Sequence, residues 1–353
     1  MYPRFMASIG FCVCFLAVLS GCVGGGGGGG SSSPSMEQTN PTPAAPSANT
    51  LQGVLDESIN RGVDGLVLAV LDNNGDLRVF EAGIQDRSSQ TAMDSQSLFK
   101  IASVSKLFIA AATTQVIHKG LLSLDDTLAQ RLPQLASRMQ NSESITVRNL
   151  LQHRSGVPDF DSQPGFSWEN SHTDNSRVLE YALDHAADFP PNARYEYSNT
   201  NYLLIAMILD RVLGYSHHRH IQDFILDPLG MEDSHHLLAE ADLARLISGY
   251  WSGVNTTRRD YVVPGGSMVS TASDVATFLD ALARGTLLNP QEQASYESVY
   301  WLQHSGWLPG YQTIANFESN PDVTIVLHLN NTGSPSERVI SDTYRRVLEI
   351  LRR

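Results

Sequence analysis

Apolar positions follow three rhythms along this chain. Residues 65–71 (Gly-Leu-Val-Leu-Ala-Val-Leu) and 77–82 are short apolar-rich runs on either side of Asp72-Asn73-Asn74-Gly75. That tetrapeptide tolerates positive φ, so the pair is predicted to form a β-hairpin. Strand character returns only late, at 311–318 and 323–329. Helical spacing governs the C-terminus, where Val339, Ile340, Tyr344, Val347, Leu348 and Leu351 predict one buried stripe on a helix over 336–353. A short amphipathic helix is predicted from about Leu51, and further helices at 147–152, 177–185, 201–213, 222–226 and 272–284. Strands at both ends with helices between them predict one sheet assembled from distant segments, with a mainly helical region inserted on one side.

The third rhythm is an almost unbroken apolar run, 99–112, ending near Lys119-Gly120. It carries Ser103 and Lys106 at its start. Residues three apart on a helix share a face, so the Lys106 amine is expected to reach the Ser103 hydroxyl. Unpaired N–H groups and the positive dipole end lie beside that hydroxyl, where an oxyanion would form. Apolar surroundings favour the neutral amine, which is the form that can act as a base. A second Ser-x-x-Lys pair, Ser97 and Lys100, precedes the run and is predicted to lie on a loop where solvent keeps the amine charged. Lysine occurs only at 100, 106 and 119.

Composition narrows the class. With 353 residues, 42% hydrophobic and a formal net charge of −13, the chain can bury a substantial core, and it lacks the clustered basic charge that nucleic-acid binding requires. Arg4 ahead of the apolar stretch 9–19 reads as a secretory signal over 1–21. It ends in Leu19-Ser20-Gly21-Cys22, which resembles the bacterial lipobox, so Cys22 is the expected lipidation site. Val23 in place of aspartate favours sorting to the outer membrane, facing the periplasm. Residues 22–50, rich in Gly, Ser, Pro and Thr, read as a disordered tether with a reach of roughly 25–30 Å. The folded domain is expected over 51–353. Cys12, Cys14 and Cys22 are the only cysteines, so that domain has neither disulfide nor thiol nucleophile.

Two later segments supply partners. Tyr197-Ser198-Asn199 stands before an apolar helix; Tyr197 is expected to share the Ser103 proton with Lys106, and Asn199 to orient the lysine and a substrate carbonyl. In His304-Ser305-Gly306-Trp307, the small Gly306 is expected to let substrate approach the backbone, and the Trp307 N–H to be the second oxyanion donor beside that of Ser103. The histidines at 217, 218, 220, 235 and 236 lack acidic or cysteine partners at ligand spacing and are expected on a solvated helix end and loop. No cofactor or metal is expected.

Ser-Val-Ser-Lys opening an apolar helix, Tyr-Ser-Asn about ninety residues later and His-Ser-Gly in the last sixth of the chain resemble the serine β-lactamase and penicillin-binding-protein superfamily, in its class C-like branch. The phrases Ile145-Thr146-Val147-Arg148-Asn149-Leu150-Leu151-Gln152-His153-Arg154-Ser155-Gly156, Pro228-Leu229-Gly230-Met231 and Gly265-Gly266-Ser267-Met268-Val269-Ser270-Thr271 are also similar to that family. The resemblance implies an α+β, β-lactamase/transpeptidase-like fold: an antiparallel sheet flanked by helices, plus a largely helical domain. It implies acyl transfer through Ser103, with Lys106 and Tyr197 titrating as a low-pKa pair. Tyr-Ser-Asn with His-x-Gly is closer to D-alanyl-D-alanine carboxypeptidases and related esterases than to class C β-lactamases. His304 would be about half protonated near pH 6.5 if unperturbed, a weaker carboxylate partner than the lysine of Lys-Thr-Gly, with Arg258 or Arg259 as possible substitutes. Pro190-Pro191-Asn192-Ala193 lacks the usual Pro-Gly, which puts that loop's geometry in question. The expected activity is therefore a lipid-anchored D,D-carboxypeptidase on peptidoglycan stem peptides. An esterase or weak β-lactamase on small esters and amides, or a non-catalytic module binding peptidoglycan or a partner, are the alternatives.

Overall fold

The computed structural model describes residues 49–353. The predicted signal peptide, Cys22 and all but the end of the predicted tether lie outside the described residues.

The unbroken apolar run after Asp64 becomes β1 (Gly65–Asp72), and it is apolar throughout because both of its faces are buried. Leu66, Leu68 and Val70 point to one side of the sheet, Val67, Ala69 and Leu71 to the other. β2 (Leu77–Asp86) pairs antiparallel along one edge of β1, with Gly65 opposite Gly83 and Leu71 opposite Leu77. The hairpin turn forms as predicted: Asn74 N–H donates to the Asp72 carboxylate at 2.8 Å, and Gly75 takes φ +86°. β3 (Thr91–Ala92) flanks β2. The late strands β4 (Gln303–Leu308), β5 (Tyr311–Glu318) and β6 (Val323–Leu329) complete an antiparallel sheet of order β3-β2-β1-β6-β5-β4. β4 has no apolar alternation to predict it. Among the described residues its one strand partner is β5, and that pairing makes it a strand.

Helices cover both faces. On one side α1 (Leu51–Ile59), capped by the Thr50 hydroxyl on the Gly53 N–H at 3.0 Å, packs with α5 (Ser336–Leu351) against Leu66, Leu68, Ile325 and Leu327. Val339, Ile340 and Val347 of the predicted stripe are buried. On the other side lies the main core, which holds α2 (Ser105–His118), α3 (Asn199–Leu213) and α4 (Ala272–Ala283). α2 is buried from Ser105 to Val116, so it has no solvent face and its pattern is not amphipathic. Phe108 stacks on Phe278 of α4 at 3.7 Å between centroids. The α+β architecture is that expected from the sequence. The predicted helix at 201–213 begins two residues earlier, at Asn199, and the one at 177–185 is the shorter Asn175–Glu180.

The histidine-rich segment departs from expectation. Its helical turn His217–Ile221 packs on α2, so His217 and His220 are buried rather than solvated, as is His236. His217 Nδ1 meets the Asp210 carboxylate at 2.8 Å, His220 Nε2 the Gln115 side-chain oxygen at 3.1 Å, and His218 stacks on His236 at 4.8 Å. In the sheet, His328 of β6 stacks on Phe99 at 4.7 Å and bonds Thr313 Oγ1 at 2.8 Å. Burial pushes His328 down to about 3, and His220 and His236 to about 4. These rings are neutral in the fold, whereas the unfolded chain takes up their protons near 6.5. Their contribution to stability is full above pH 6.5 and is lost as pH falls toward 4. The melting temperature is expected to fall by at least about 5 °C between pH 7 and pH 4.5. Calorimetric melts across that range check it, and a flat profile contradicts it.

Candidate active site

Ser103 does not sit within the long helix. A single 3-10 turn, Ala102–Val104, precedes α2, and Ala102 enters it at φ +51°, a conformation disfavoured for a residue with a Cβ. The turn runs directly into α2, so Ser103 and Lys106, three residues apart across the junction, still share a face. Lys106 Nζ lies 3.2 Å from Ser103 Oγ, and the Tyr197 hydroxyl reaches the same oxygen at 3.0 Å. The structure brings Tyr197, some ninety residues along the chain, to the Ser103 and Lys106 pair.

Lys106 is buried, 1% exposed. Besides Ser103 it has two partners, both acceptors: Asn199 Oδ1 and the Gly265 carbonyl, each at 2.9 Å. A neutral amine has two N–H bonds and one lone pair. With both N–H bonds taken by these acceptors, the lone pair is left facing the Ser103 hydroxyl. Burial pushes the amine down to about 7, against the opposing pull of Asp159 and Asp161. Asn199 is held in register because its Nδ2 donates to Asp159 at 3.2 Å and Asp161 at 3.1 Å, which turns Oδ1 toward the lysine. Burial and the Asp161 charge push Asp159 up.

Tyr197 differs from the low-pKa expectation. Burial raises it well above its ordinary value, so only the lysine of the pair is lowered. Tyr197 rests as a neutral phenol able to donate to Ser103 or to a departing atom, and Lys106 is the group able to accept. Its ring is seated by His153, buried and stacked on it at 4.4 Å, whose Nδ1 accepts the Ser198 N–H at 3.2 Å. The loop before it keeps its turn without glycine: Asn192 takes φ +68°, and its side-chain oxygen accepts from Arg154 at 2.9 Å.

β4 closes the other side. Gly306 lies against the residues before the nucleophile, where an added Cβ would come within 2.4 Å of the Ile101 carbonyl and 3.1 Å of the Ala102 Cβ. Its smallness therefore serves packing of β4 on the Ser103 turn, where room for substrate was expected. Trp307 follows it, half-exposed. His304 lies 6.1 Å from the Tyr197 ring and is neutral: burial and the Lys106 charge push it to about 3, not the half-protonated state expected of an unperturbed ring. Arg258 is exposed, while Arg259 stands over Trp251 at 5.4 Å, and Trp251 is edge-on to Trp307 at 6.0 Å.

Several contributors lie outside the three catalytic motifs. Gly265, at φ +78°, gives its carbonyl to Lys106, and a Cβ there would come within 2.9 Å of Lys106 Cγ. The pair Gly265-Gly266 was the available hint. Asp159 and Asp161 act through Asn199 and have none. Lys100, for which the sequence predicts a solvated loop, is 3% exposed. Its amine donates to the carbonyls of Thr257 at 2.8 Å and Arg259 at 2.5 Å, because Phe99–Lys100 pairs with Val269–Ser270 and turns the side chain inward.

The arrangement can remove the Ser103 proton only when Lys106 is uncharged. Acylation is therefore expected to rise about tenfold per pH unit below about 7 and to level off above it. Stopped-flow acylation rates with an activated ester between pH 5 and 9 check this, and a rise that continues to pH 9 contradicts it.

A sequence profile described as Beta-lactamase matches residues 48–300, a span that includes Ser103, Lys106, Tyr197 and Asn199 and stops before His304. Penicillin-binding protein 4 of Amycolatopsis lactamdurans is 28% identical over 228 residues, covering 61% of this chain and 58% of its own length. Penicillin-binding protein 4* of Bacillus subtilis (strain 168) is 26% identical over 299 residues, covering 71% and 64%. The chain thus spans less than two thirds of the length of these relatives. Among solved structures, a D-amino acid amidase from Ochrobactrum anthropi SV3, complexed with L-phenylalanine amide, matches with a TM-score of 0.77 at 25% identity, covering 85% of this chain and 97% of its own. A β-lactamase/D-alanine carboxypeptidase from Pseudomonas syringae shares the fold, with a TM-score of 0.69 at 16% identity over 85% of this chain and 98% of its own. With residues 48–300 inside the matched profile and the fold shared over 85% of its length, the chain belongs to the beta-lactamase family of serine hydrolases.

Proposed function

We propose that the protein cleaves amide bonds next to D-amino acids through an acyl-Ser103 intermediate, as a D,D-carboxypeptidase on peptidoglycan stem peptides. The observation that carries the acyl transfer is the Ser103 oxygen held between Lys106 Nζ and the Tyr197 hydroxyl. In the first half-reaction Lys106 takes the Ser103 proton while Oγ bonds to the carbonyl carbon. The C–N bond then breaks and the amine leaves with a proton relayed through Tyr197. Water then bonds to the acyl carbon and gives its proton to Lys106. The Ser103 Oγ–C bond breaks to release the acid, and Lys106 returns the proton to Oγ. The N–H groups of Ser103 and Trp307 are the proposed oxyanion donors.

The substrate class is supported by the relatives named as penicillin-binding proteins and by the neighbour named as a D-amino acid amidase. Arg259 supports a terminal carboxylate: it stands beside the Trp251–Trp307 pair with Nη1 buried and without a hydrogen-bond partner, and it offers the positive charge that neutral His304 lacks. A lipid anchor at Cys22, placing the domain beside the cell-wall polymer, is part of the proposal and rests on Leu19-Ser20-Gly21-Cys22. Neutral His304 favours a second reading, an amidase or esterase on substrates that lack a carboxylate.

Purified full-length protein is expected to release D-alanine from an N-acylated D-Ala-D-Ala peptide, and Ser103→Ala to lower kcat by ~10³-fold or more. Turnover of D-alaninamides or p-nitrophenyl esters without D-alanine release selects the second reading. Absence of turnover on all three leaves the non-catalytic module.

A further inference from the structure

Six aromatic rings form a closed circuit beside the nucleophile. Tyr197 stacks on His153 at 4.4 Å, His153 meets Tyr195 at 6.0 Å, and Tyr195 meets Trp301 edge-on at 5.7 Å. Trp301 lies 5.6 Å from Tyr300, Tyr300 lies 6.1 Å from His304, and His304 returns to Tyr197 at 6.1 Å. The circuit is graded in depth. His153 and Tyr300 are buried, whereas Tyr195 is 47% and Trp301 50% exposed. Adjacent exposed rings beside a functional site make an apolar surface that a ligand can cover. These two stand together at the rim of the site.

The rim is held in place. The Tyr296 hydroxyl donates to the Trp301 carbonyl at 2.8 Å, and the Phe317 N–H donates to the next carbonyl, that of Leu302, at 3.0 Å. Tyr195 lies two residues before Tyr197, and both rings meet His153, at 6.0 Å and 4.4 Å, which sets the exposed ring beside the catalytic one. Tyr197 is the inner end of the circuit, with its hydroxyl on Ser103 Oγ. A group resting on Tyr195 and Trp301 therefore lies on the Tyr197 side of the reacting carbonyl. The proposed relay passes its proton to the leaving amine on that side.

We propose that Trp301 and Tyr195 form a subsite for a planar apolar group on the leaving half of the substrate. The preferred substrates are then amides or esters whose departing amine or alcohol carries an aromatic ring. This rests on the reading of Ser103 as the nucleophile and adds to it a choice of leaving group. Rings of this kind prefer offset or edge-to-face contact with another ring, which is worth about tenfold in binding beyond burial alone.

The test holds the acyl half constant. With N-acetyl-D-Ala-D-Ala and N-acetyl-D-Ala-D-Phe, the full-length protein is expected to favour the phenylalanine peptide by about tenfold in kcat/KM, chiefly through KM. Trp301→Ala is expected to reduce that ratio to below about twofold, and Trp301→Phe to retain most of it. Equal rates in the natural protein, or a ratio that survives Trp301→Ala, overturns the subsite. Binding separates this from failure of the hydrolase reading. In a Ser103→Ala background, calorimetric titration with N-acetyl-D-phenylalanine is expected to show about tenfold weaker binding once Trp301→Ala is added. Equal affinity in the two backgrounds overturns the subsite even if no peptide is cleaved. A preference that follows an aromatic ring on the acyl half overturns the assignment to the leaving side.

Discussion

The whole site depends on the cost of keeping a charge on Lys106. An ammonium taken out of water loses its hydration, and the fold returns only part of it through two acceptors, the Asn199 amide oxygen and the Gly265 carbonyl. Those acceptors satisfy the two N–H bonds of a neutral amine. The balance near pH 7 lets one side chain accept a proton from Ser103 and return it later. Asp159 and Asp161 limit how far the amine is depressed, and through Asn199 they also fix its direction.

The architecture serves this balance. α2 can carry a buried lysine because it is surrounded by protein, packed against the helix Pro290–Glu297, α3 and the turn His217–Ile221. The two halves of the chain meet at the start of this helix. β4 comes from the C-terminal part of the sheet and presses Gly306 against Ile101 and Ala102. Gly265, Asn199 and Tyr197 come from the inserted region. Ala102, held at positive φ, joins the strand-like approach to the 3-10 turn. A fold that brings distant segments to one residue can hold donor and acceptor at fixed separations, which acyl transfer requires.

Much of this was legible in the sequence where local pattern decides structure. The hairpin at β1 and β2, strands β5 and β6 and helix α5 follow from apolar periodicity and turn chemistry. Spacing makes Ser103 and Lys106 candidates, and the family resemblance carried by the three ordered motifs brings in Tyr197 and Asn199. What could not be read depends on packing between remote segments. The Gly265 carbonyl is 159 positions from Lys106, and no side chain marks it. Lys100 and the histidines at 217, 220 and 236 look solvated as a sequence because their burial comes from neighbours far along the chain. His304 was misjudged for the same reason, since its charge is set by burial and by Lys106. In the loop that lacks Pro-Gly, Asn192 takes the positive φ that a glycine tolerates most readily.

The most direct test of this account is the charge state of Lys106 itself. The chain has only three lysines, at 100, 106 and 119, so a protein labelled with ¹³C at lysine Cε gives three signals, and Lys106→Met identifies the one that matters. The account expects that signal to titrate with a midpoint near pH 7 in the resting protein. A midpoint above about 9.5, close to that of a solvated lysine, would contradict it.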